Sequence, residues 1–362
     1  MSIRRRDRKF AAPPRFRLPP YRVTQSYVQL AETIDWGLAV NHIPDHWRET
    51  SGRGVSVAVL DTGIDLTHPD LQGAIADVRD FTGSRFGAQD RVGHGTHTAG
   101  TIGARRNELG VVGVAPECRL LIGKVLGDDG AGTDEVVAAG IDWAVAAGAD
   151  VISLSLGAPT ASVVLESAVR RAVAAGKFLV CAAGNDGTAL GRVDSVNYPA
   201  RYDDTVAVGA VDRAGRVCDF SSRGPEVDLC APGDDVLSTY LNAGYAKLSG
   251  TSMAAPFVSG VVALLLAKHR ASPGATPVET PTQLIEHLQR TARDSGPSGR
   301  DPAYGFGLID PGALLADDTP APPAGVANDT RFELGPISLN GRSGMLVFTP
   351  TSEASGVPSG PR

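Results

Sequence analysis

Long apolar runs, cysteine pairs and concentrated basic charge are all scarce in this chain, and each scarcity removes a class of function. No uninterrupted run of about 18 apolar residues occurs, so no segment is expected to span a membrane. The four cysteines, Cys118, Cys181, Cys218 and Cys230, have neither metal-type nor disulfide-framework spacing. Buried, reduced thiols are the expectation. The net charge of −6 disfavours nucleic acid as the main partner, because phosphate binding needs a concentrated basic surface. The one basic cluster, Arg4 to Lys9, lies in a proline-rich N-terminus and reads as a solvated tail. That N-terminus also lacks an apolar signal core: charges follow Met1-Ser2-Ile3, then Pro13, Pro14, Pro19 and Pro20. A cytoplasmic protein is expected, with secretion only if translation starts further upstream.

What is present is ample for a large core: 362 residues, 42% of them hydrophobic. Short β-branched runs alternate with longer helical stretches from Val55 onward. Val55–Leu60, Leu120–Val125, Val151–Leu156, Phe178–Ala183 and Val206–Ala210 read as buried parallel strands. Asp134–Ala147 and Ser162–Ala175 read as helices, with Gly148 and Gly176 at their C-caps. A long apolar helix should follow Ser252, and a shorter amphipathic one surrounds Gln283–Thr291. The alternation predicts an α/β fold: a doubly wound, mostly parallel sheet with helices on both faces. Three regions emerge: an arm (1–30), a main domain (31–317) and a Pro/Gly/Ser-rich extension (318–362).

Three distant segments carry the chemistry. Asp61-Thr62-Gly63 ends the first strand, which puts a carboxylate at the carboxyl edge of the sheet. Alone, it reads as a turn cap. His94 sits between Gly93 and Gly95 at the start of a small-residue helix running Thr96 to Ala104, so its ring can face a peptide. His97 reads as a packed structural histidine. Gly250-Thr251-Ser252-Met253-Ala254 places a hydroxyl and its own N–H at a helix N-terminus, favourable for a developing anion. Alone, Ser252 would be a helix N-cap. Ala182-Ala183-Gly184-Asn185 brings an amide to the same edge as an oxyanion donor. Acid, base and nucleophile in this order indicate a hydrolase.

With these residues assembled, the chain resembles the subtilisin-like serine proteases, in which the order Asp…His…Ser recurs. The likeness runs from about Trp36 to Pro311 and includes His68-Pro69-Asp70-Leu71, Gly113-Val114-Ala115-Pro116 and Ala231-Pro232-Gly233. It implies an endopeptidase working through an acyl-enzyme, with Asp61, His94, Ser252 and Asn185 in the catalytic roles. Gly130-Ala131-Gly132 and Ser155-Leu156-Gly157 are implied to be edge strands pairing with substrate backbone. The first specificity pocket would lie between Ser155–Gly157 and Ala182–Asn185, with Asp186 and Asn197 near its rim. A broad pocket is expected. A non-catalytic, peptide-binding relative using the same groove is the competing reading.

The nearest subgroup in resemblance is the intracellular subtilisins, which carry a short N-terminal segment across the active site. Arg15-Phe16-Arg17-Leu18-Pro19-Pro20-Tyr21 is similar to that segment, departing at Pro19. Leu18, Pro19, Pro20 and Tyr21 are therefore implied to form an inhibitory arm, and the product a zymogen. A homodimer is compatible with the resemblance. It also implies a structural Ca²⁺ loop ligated by Asp70, the Asn107 amide and the carbonyls of Arg105, Leu109 and Val111, with Glu32 where a glutamine usually contributes. A weaker cation site would lie near Ala200, Tyr202 and Asp228.

Overall fold

The computed structural model describes residues 15–28, 31–191, 194–272 and 278–316. The extension at 318–362, most of the arm's first half and the Arg4–Lys9 cluster lie outside the described residues.

Twelve strands and eight helices are described. The strands of the N-terminal half are β1 (Arg15–Arg17), β2 (Arg22–Tyr27), β3 (Ser56–Asp61), β4 (Ile75–Asp80), β5 (Arg119–Lys124) and β6 (Ala131–Thr133). They are followed by β7 (Val151–Leu154), β8 (Phe178–Ala182), β9 (Val206–Val211), β10 (Leu229–Pro232), β11 (Val236–Tyr240) and β12 (Gly244–Ser249). The helices are α1 (Trp36–Val40), α2 (Ile43–His46), α3 (His94–Gly103), α4 (Asp134–Ala146), α5 (Val163–Ala174), α6 (Thr251–Ala271), α7 (Pro281–Thr291) and α8 (Pro311–Ala316).

Seven strands make one parallel sheet in the order β10-β9-β8-β7-β3-β5-β4. The inner strands are apolar at nearly every position because both faces are covered. On β3, Val57 and Val59 face the cluster built with α3 and α6, while Ala58 and Leu60 face the one built with α4 and α5. This period of two, applied strand after strand, gives helix, sheet and helix layers. Expected strand and helix limits agree to within two residues. Gly148 and Gly176 follow α4 and α5 with φ of 79° and 71°, the left-handed turn that glycine adopts without strain.

Three features depart from the sequence reading. β4, at the sheet edge, has mostly exposed side chains and no buried run to betray it. β11 and β12 form a hairpin that β2 extends into a three-stranded antiparallel sheet. α6, 21 residues long, contains an 18-residue window of mean hydropathy 1.5, long and apolar enough to cross a membrane. That window is 94% buried, so its composition reflects a helix surrounded by protein. The four thiols are unpaired, with Cys218 half-buried and the others buried.

α3 lies close against β11 because Gly100 faces it without a side chain. A methyl at Gly100 would collide with Thr239 Oγ1 and Ser238 Oγ. Those hydroxyls cannot move freely, since they donate to the carbonyls of Thr96 (2.7 Å) and His97 (2.9 Å). Gly100→Ala is expected to destabilise the protein by about 1–3 kcal/mol in urea titration, despite alanine's better helix propensity. An unchanged midpoint would refute this packing argument.

Candidate active site

Asp61 is the last residue of β3 and is 1% exposed. Its carboxylate accepts the Thr62 N–H at 2.7 Å and lies 2.8 and 3.0 Å from His94 Nδ1. A buried carboxylate in this position fixes the imidazole tautomer with Nε2 free and stabilises the imidazolium. His94 opens α3, two residues earlier than expected, because Gly93 turns the chain with φ of 95°. Gly95 is required as well: a side chain there would strike the Gly63 carbonyl.

A residue with no assigned role secures this geometry. Asp90 is 1% exposed, and its Oδ1 accepts from Thr62 Oγ1, Val92 N and Gly93 N. Its Oδ2 accepts from Thr96 N and Thr96 Oγ1. Five bonds to one carboxylate thus join the Asp61 turn to the start of the histidine helix. Lys124, aligned with Asp61 on the neighbouring strand, is fully buried and donates to the Thr62 carbonyl.

Ser252 is the second residue of α6 and is buried. Its Oγ lies 3.3 Å from the Ser155 carbonyl, and His94 Nε2 is buried without a hydrogen-bond partner. Asp61 and His94 are therefore joined, while the Ser252 hydroxyl leans on the Ser155 carbonyl, in the segment just beyond β7 and not in the strand that was expected there. Pro256 explains a second contact. Lacking an N–H, it leaves the Ser252 carbonyl, four residues back, without its helical donor. Ser155 Oγ donates to that carbonyl at 2.9 Å.

Asn185 Oδ1 accepts from Thr251 N and Thr251 Oγ1, both at 2.9 Å, which turns Nδ2 into the cleft. There Nδ2 donates to the Pro20 carbonyl at 2.8 Å. The chain's own N-terminal segment runs through the cleft. β1 pairs antiparallel with β6, Arg17 and Gly157 exchange N–H···O bonds at 3.2 Å, and Leu18 N donates to Gly130 O at 3.2 Å. Phe16 is fully buried in the α4-side cluster, and Leu18 packs over Gly130. Pro19 is buried, Pro20 is exposed, and the Tyr21 ring lies 5.0 Å from that of His94.

Residues 52–307 match the subtilase family, a span holding Asp61, His94, Asn185 and Ser252. The chain belongs to that family. It is similar to the major intracellular serine protease of Bacillus subtilis (strain 168), 45% identical over 255 residues, 69% of this chain and 80% of the relative. The intracellular serine protease of Paenibacillus polymyxa is 46% identical over 250 residues, 68% and 76% respectively. Subtilisin BL of Lederbergia lenta is 43% identical over 280 residues, 77% and 97%. As a subtilase, the chain is a subtilisin-like serine protease, a peptide hydrolase.

Other expected subtilase features are placed differently. Asp186 is exposed, whereas Asn197 is 8% exposed and packs against Gly157 and Gly184. A Cβ added to Gly157 would come within 2.9 Å of Asn197 Cβ, and one added to Gly184 within 2.5 Å of Asn197 Nδ2. That amide donates to Asp186 at 2.7 Å, so Asn197 closes space that the sequence reading left open. Leu156 and Ala182 are core residues beside the cleft. In the second cation region, both oxygens of Asp228 accept protein donors, Ala207 N and Gln289 Nε2, and burial pushes its carboxyl up to about 6.

Asp70, Glu32, Asn107 and the 105–111 backbone lie in one neighbourhood. Asp70 is fully buried, accepts Val111 N at 2.8 Å, and lies 3.3 Å from the Tyr245 hydroxyl. Burial raises its carboxyl pKa, and among the described residues it has no ion-pair partner. Arg105 donates its N–H to the Asp70 carbonyl, while its guanidinium turns away to the Gly73 and Pro116 carbonyls. Two details depart from the expected ligand set. Glu32 Oε2 accepts the Asn107 and Glu108 N–H groups, bracing the loop. Asn107 turns its amide nitrogen towards Asp70 at 3.4 Å, while its oxygen accepts from Leu109 N. Both Asp70 oxygens accept protein donors, Oδ2 from Val111 N and Oδ1 from the Tyr245 hydroxyl and the Asn107 amide, so a hard cation would fit there only with the Asn107 oxygen turned inward. No group of three His, Cys, Asp or Glu side chains suited to a metal occurs among the described residues.

His97 is fully buried, with Nε2 3.0 Å from Val236 O and 3.1 Å from Ala246 O. Burial, with His94 nearby, drives its pKa from 6.5 down to about 3, so it is a neutral pin between α3 and the hairpin. Its folded-state pKa lies below the unfolded one. Its stabilisation is therefore complete above about pH 6.5 and is lost as pH falls towards 3. His97→Gln, which keeps a donor, should flatten the fall of the urea midpoint between pH 6.5 and 4 relative to wild type. Parallel profiles would refute the assignment.

Proposed function

We propose that this chain is an endopeptidase with Asp61, His94 and Ser252 as its triad, made with its cleft filled by its own residues 16–21. The observation that carries this reading is the Asn185 amide donating to the Pro20 carbonyl while the buried Asp61–His94 pair lies beneath Tyr21. A peptide carbonyl held by that amide is where acyl transfer needs its oxyanion donor.

In the reaction, rotation about the Ser252 Cα–Cβ bond turns Oγ from the Ser155 carbonyl towards His94 Nε2. His94 takes the hydroxyl proton as Oγ attacks the substrate carbonyl, and Asp61 stabilises the imidazolium. Asn185 Nδ2 and the Ser252 N–H hold the oxyanion. The C–N bond breaks as His94 returns its proton to the leaving amine. Water, deprotonated in turn by His94, then releases the acid and regenerates Ser252. Gly130–Gly132 and Ser155–Gly157 hold the acyl half by strand pairing. Asn197 between the pocket walls favours a modest first-site side chain over a large aromatic one.

The arm suits an inhibitor. Pro19 and Pro20 have no N–H, so strand pairing stops at Leu18, and their fixed φ carries the chain past Ser252 without a readily cut bond. We assign 1–30 to this arm, 31–317 to the peptidase domain and 318–362 to an extension. A cytoplasmic location follows the relatives named intracellular. Asp70, Asn107 and the carbonyls of Arg105, Leu109 and Val111 would hold Ca²⁺, which would tie the 105–111 loop to the body of the domain.

Wild type should cleave a chromogenic peptide and lose its N-terminus up to about Tyr21. Ser252→Ala should be slower by about 10⁶-fold and keep its N-terminus. N-terminal sequencing and the peptide assay read both, and equal activity in the two proteins would refute the triad. Removing calcium with chelator should lower the melting temperature by roughly 5–10 °C, and an unmoved transition would refute the metal loop.

A further inference from the structure

The cleft segment does not end at Tyr21. Residues 22–27 continue as β2 along the outer edge of β12, with Arg22 opposite Ser249, Val23 opposite Leu248, Gln25 opposite Lys247 and Tyr27 opposite Tyr245. The first five side chains of β2 are exposed, so the strand is held mainly through its backbone. The Thr24 side chain reinforces it: its Oγ1 donates to Asp235 at 2.6 Å and lies 3.3 Å from the Lys247 carbonyl. At the Arg22 end lies a cleft of about 690 Å³ that runs from Asn185 to Ser249. Asp212, Asp219 and Asp234 line it, together with Arg216, which is paired with Asp212 at 2.7 Å. Among the described residues, Asp219 and Asp234 have no ion-pair partner, and Arg22 is the other cation on the cleft wall.

The direction of the chain matters here. A polypeptide carbonyl held by Asn185 is followed by its leaving half, and in this structure that half is Tyr21, Arg22 and the rest of β2. Pairing along an open sheet edge asks little of sequence and serves any extended chain. A cut near Pro20 or Tyr21 would release what precedes it, yet β2 lies downstream and stays covalently joined to the domain. Tethering keeps such a strand at about millimolar effective concentration at its site.

We propose that the outer edge of β12, with the acidic cleft at its end, binds the leaving half of polypeptide substrates, and that β2 holds it as a tethered competitor. The proposal rests on the peptidase reading above and adds a substrate class: extended chains with a basic residue second after the cut. Substrates with long leaving halves must displace β2, whereas those with a small leaving group need not.

Two substrates sharing one acyl half separate these cases: a p-nitroanilide, and a quenched fluorescent peptide with six leaving-side residues, Arg second. They are assayed on the full-length, self-processed enzyme and on Gln25→Pro/Ser26→Pro. Neighbouring strand amides point to opposite sides, so this pair removes whichever faces β12. Thr24→Glu, which sets a carboxylate against Asp235, loosens β2 by a second route. In both variants kcat/KM for the nitroanilide should stay within about twofold of wild type. For the long peptide it should rise about tenfold, the scale of one or two net hydrogen bonds. Exchanging Arg for Glu in the long peptide should lower kcat/KM in the loosened enzymes up to about fivefold at low salt. Long-peptide rates equal in wild type and both variants would overturn the competitor and the edge together, and indifference to the Arg-to-Glu exchange would overturn the acidic cleft. Hydrolysis of neither substrate would refute the underlying peptidase reading instead.

Discussion

Asp61 and His94 meet at 2.8 Å with almost no exposure to water, and much of the surrounding structure follows from keeping them there. A buried carboxylate is costly unless its oxygens find donors, so the pair can exist only where backbone and side chains are already fixed. The carboxyl end of a strand inside a seven-stranded parallel sheet is such a place. β3 delivers Asp61 with its direction set by neighbours on both sides, and the Asp90 carboxylate binds the Asp61 turn to the histidine helix. The imidazole then cannot tip away without breaking a network that extends through Thr62 and Thr96.

Ser252 is held by a different logic. Pro256 deprives the Ser252 carbonyl of its helical partner, and the vacancy is filled by Ser155, from the segment just beyond β7 whose Gly157 pairs with Arg17. The two serines are thereby linked twice, since Ser252 Oγ in turn leans on the Ser155 carbonyl. With the arm in the cleft the hydroxyl has this resting place, and the His94 ring is covered by Tyr21. Filling the cleft and parking the Ser252 hydroxyl are two aspects of one packed arrangement.

How much of this was legible beforehand depends on whether a property is local. The strands ending at Asp61 and near Asn185 could be read because both faces are buried, which forces continuous apolar runs. Placing Asn185 and Ser252 at one sheet edge followed from topology alone. Asp90 could not be read: Asp-Arg-Val-Gly has the composition of an ordinary turn, and its five partners are known only once the chain is folded. β2 was invisible for a related reason, since an exposed strand paired through its backbone leaves no alternation in the sequence. Asn197 was placed one step too far out, because whether a side chain lines a rim or fills the floor depends on the glycines opposite, Gly157 and Gly184.

On the proposed reading, the arm binds like a substrate and resists being treated as one. Phe16 and Leu18 anchor it through apolar contacts, and Arg17 supplies a reciprocal backbone pair with Gly157. Two consecutive prolines then interrupt the ladder at the point where a substrate would need its backbone held most tightly for attack. The segment keeps its binding energy on the acyl side and recovers pairing on β12 beyond the gap. Affinity depends on contacts along the whole segment, whereas reactivity depends on the register of one carbonyl against Ser252 and Asn185. On the proposed reading, prolines at that one point leave the first largely intact and disturb the second.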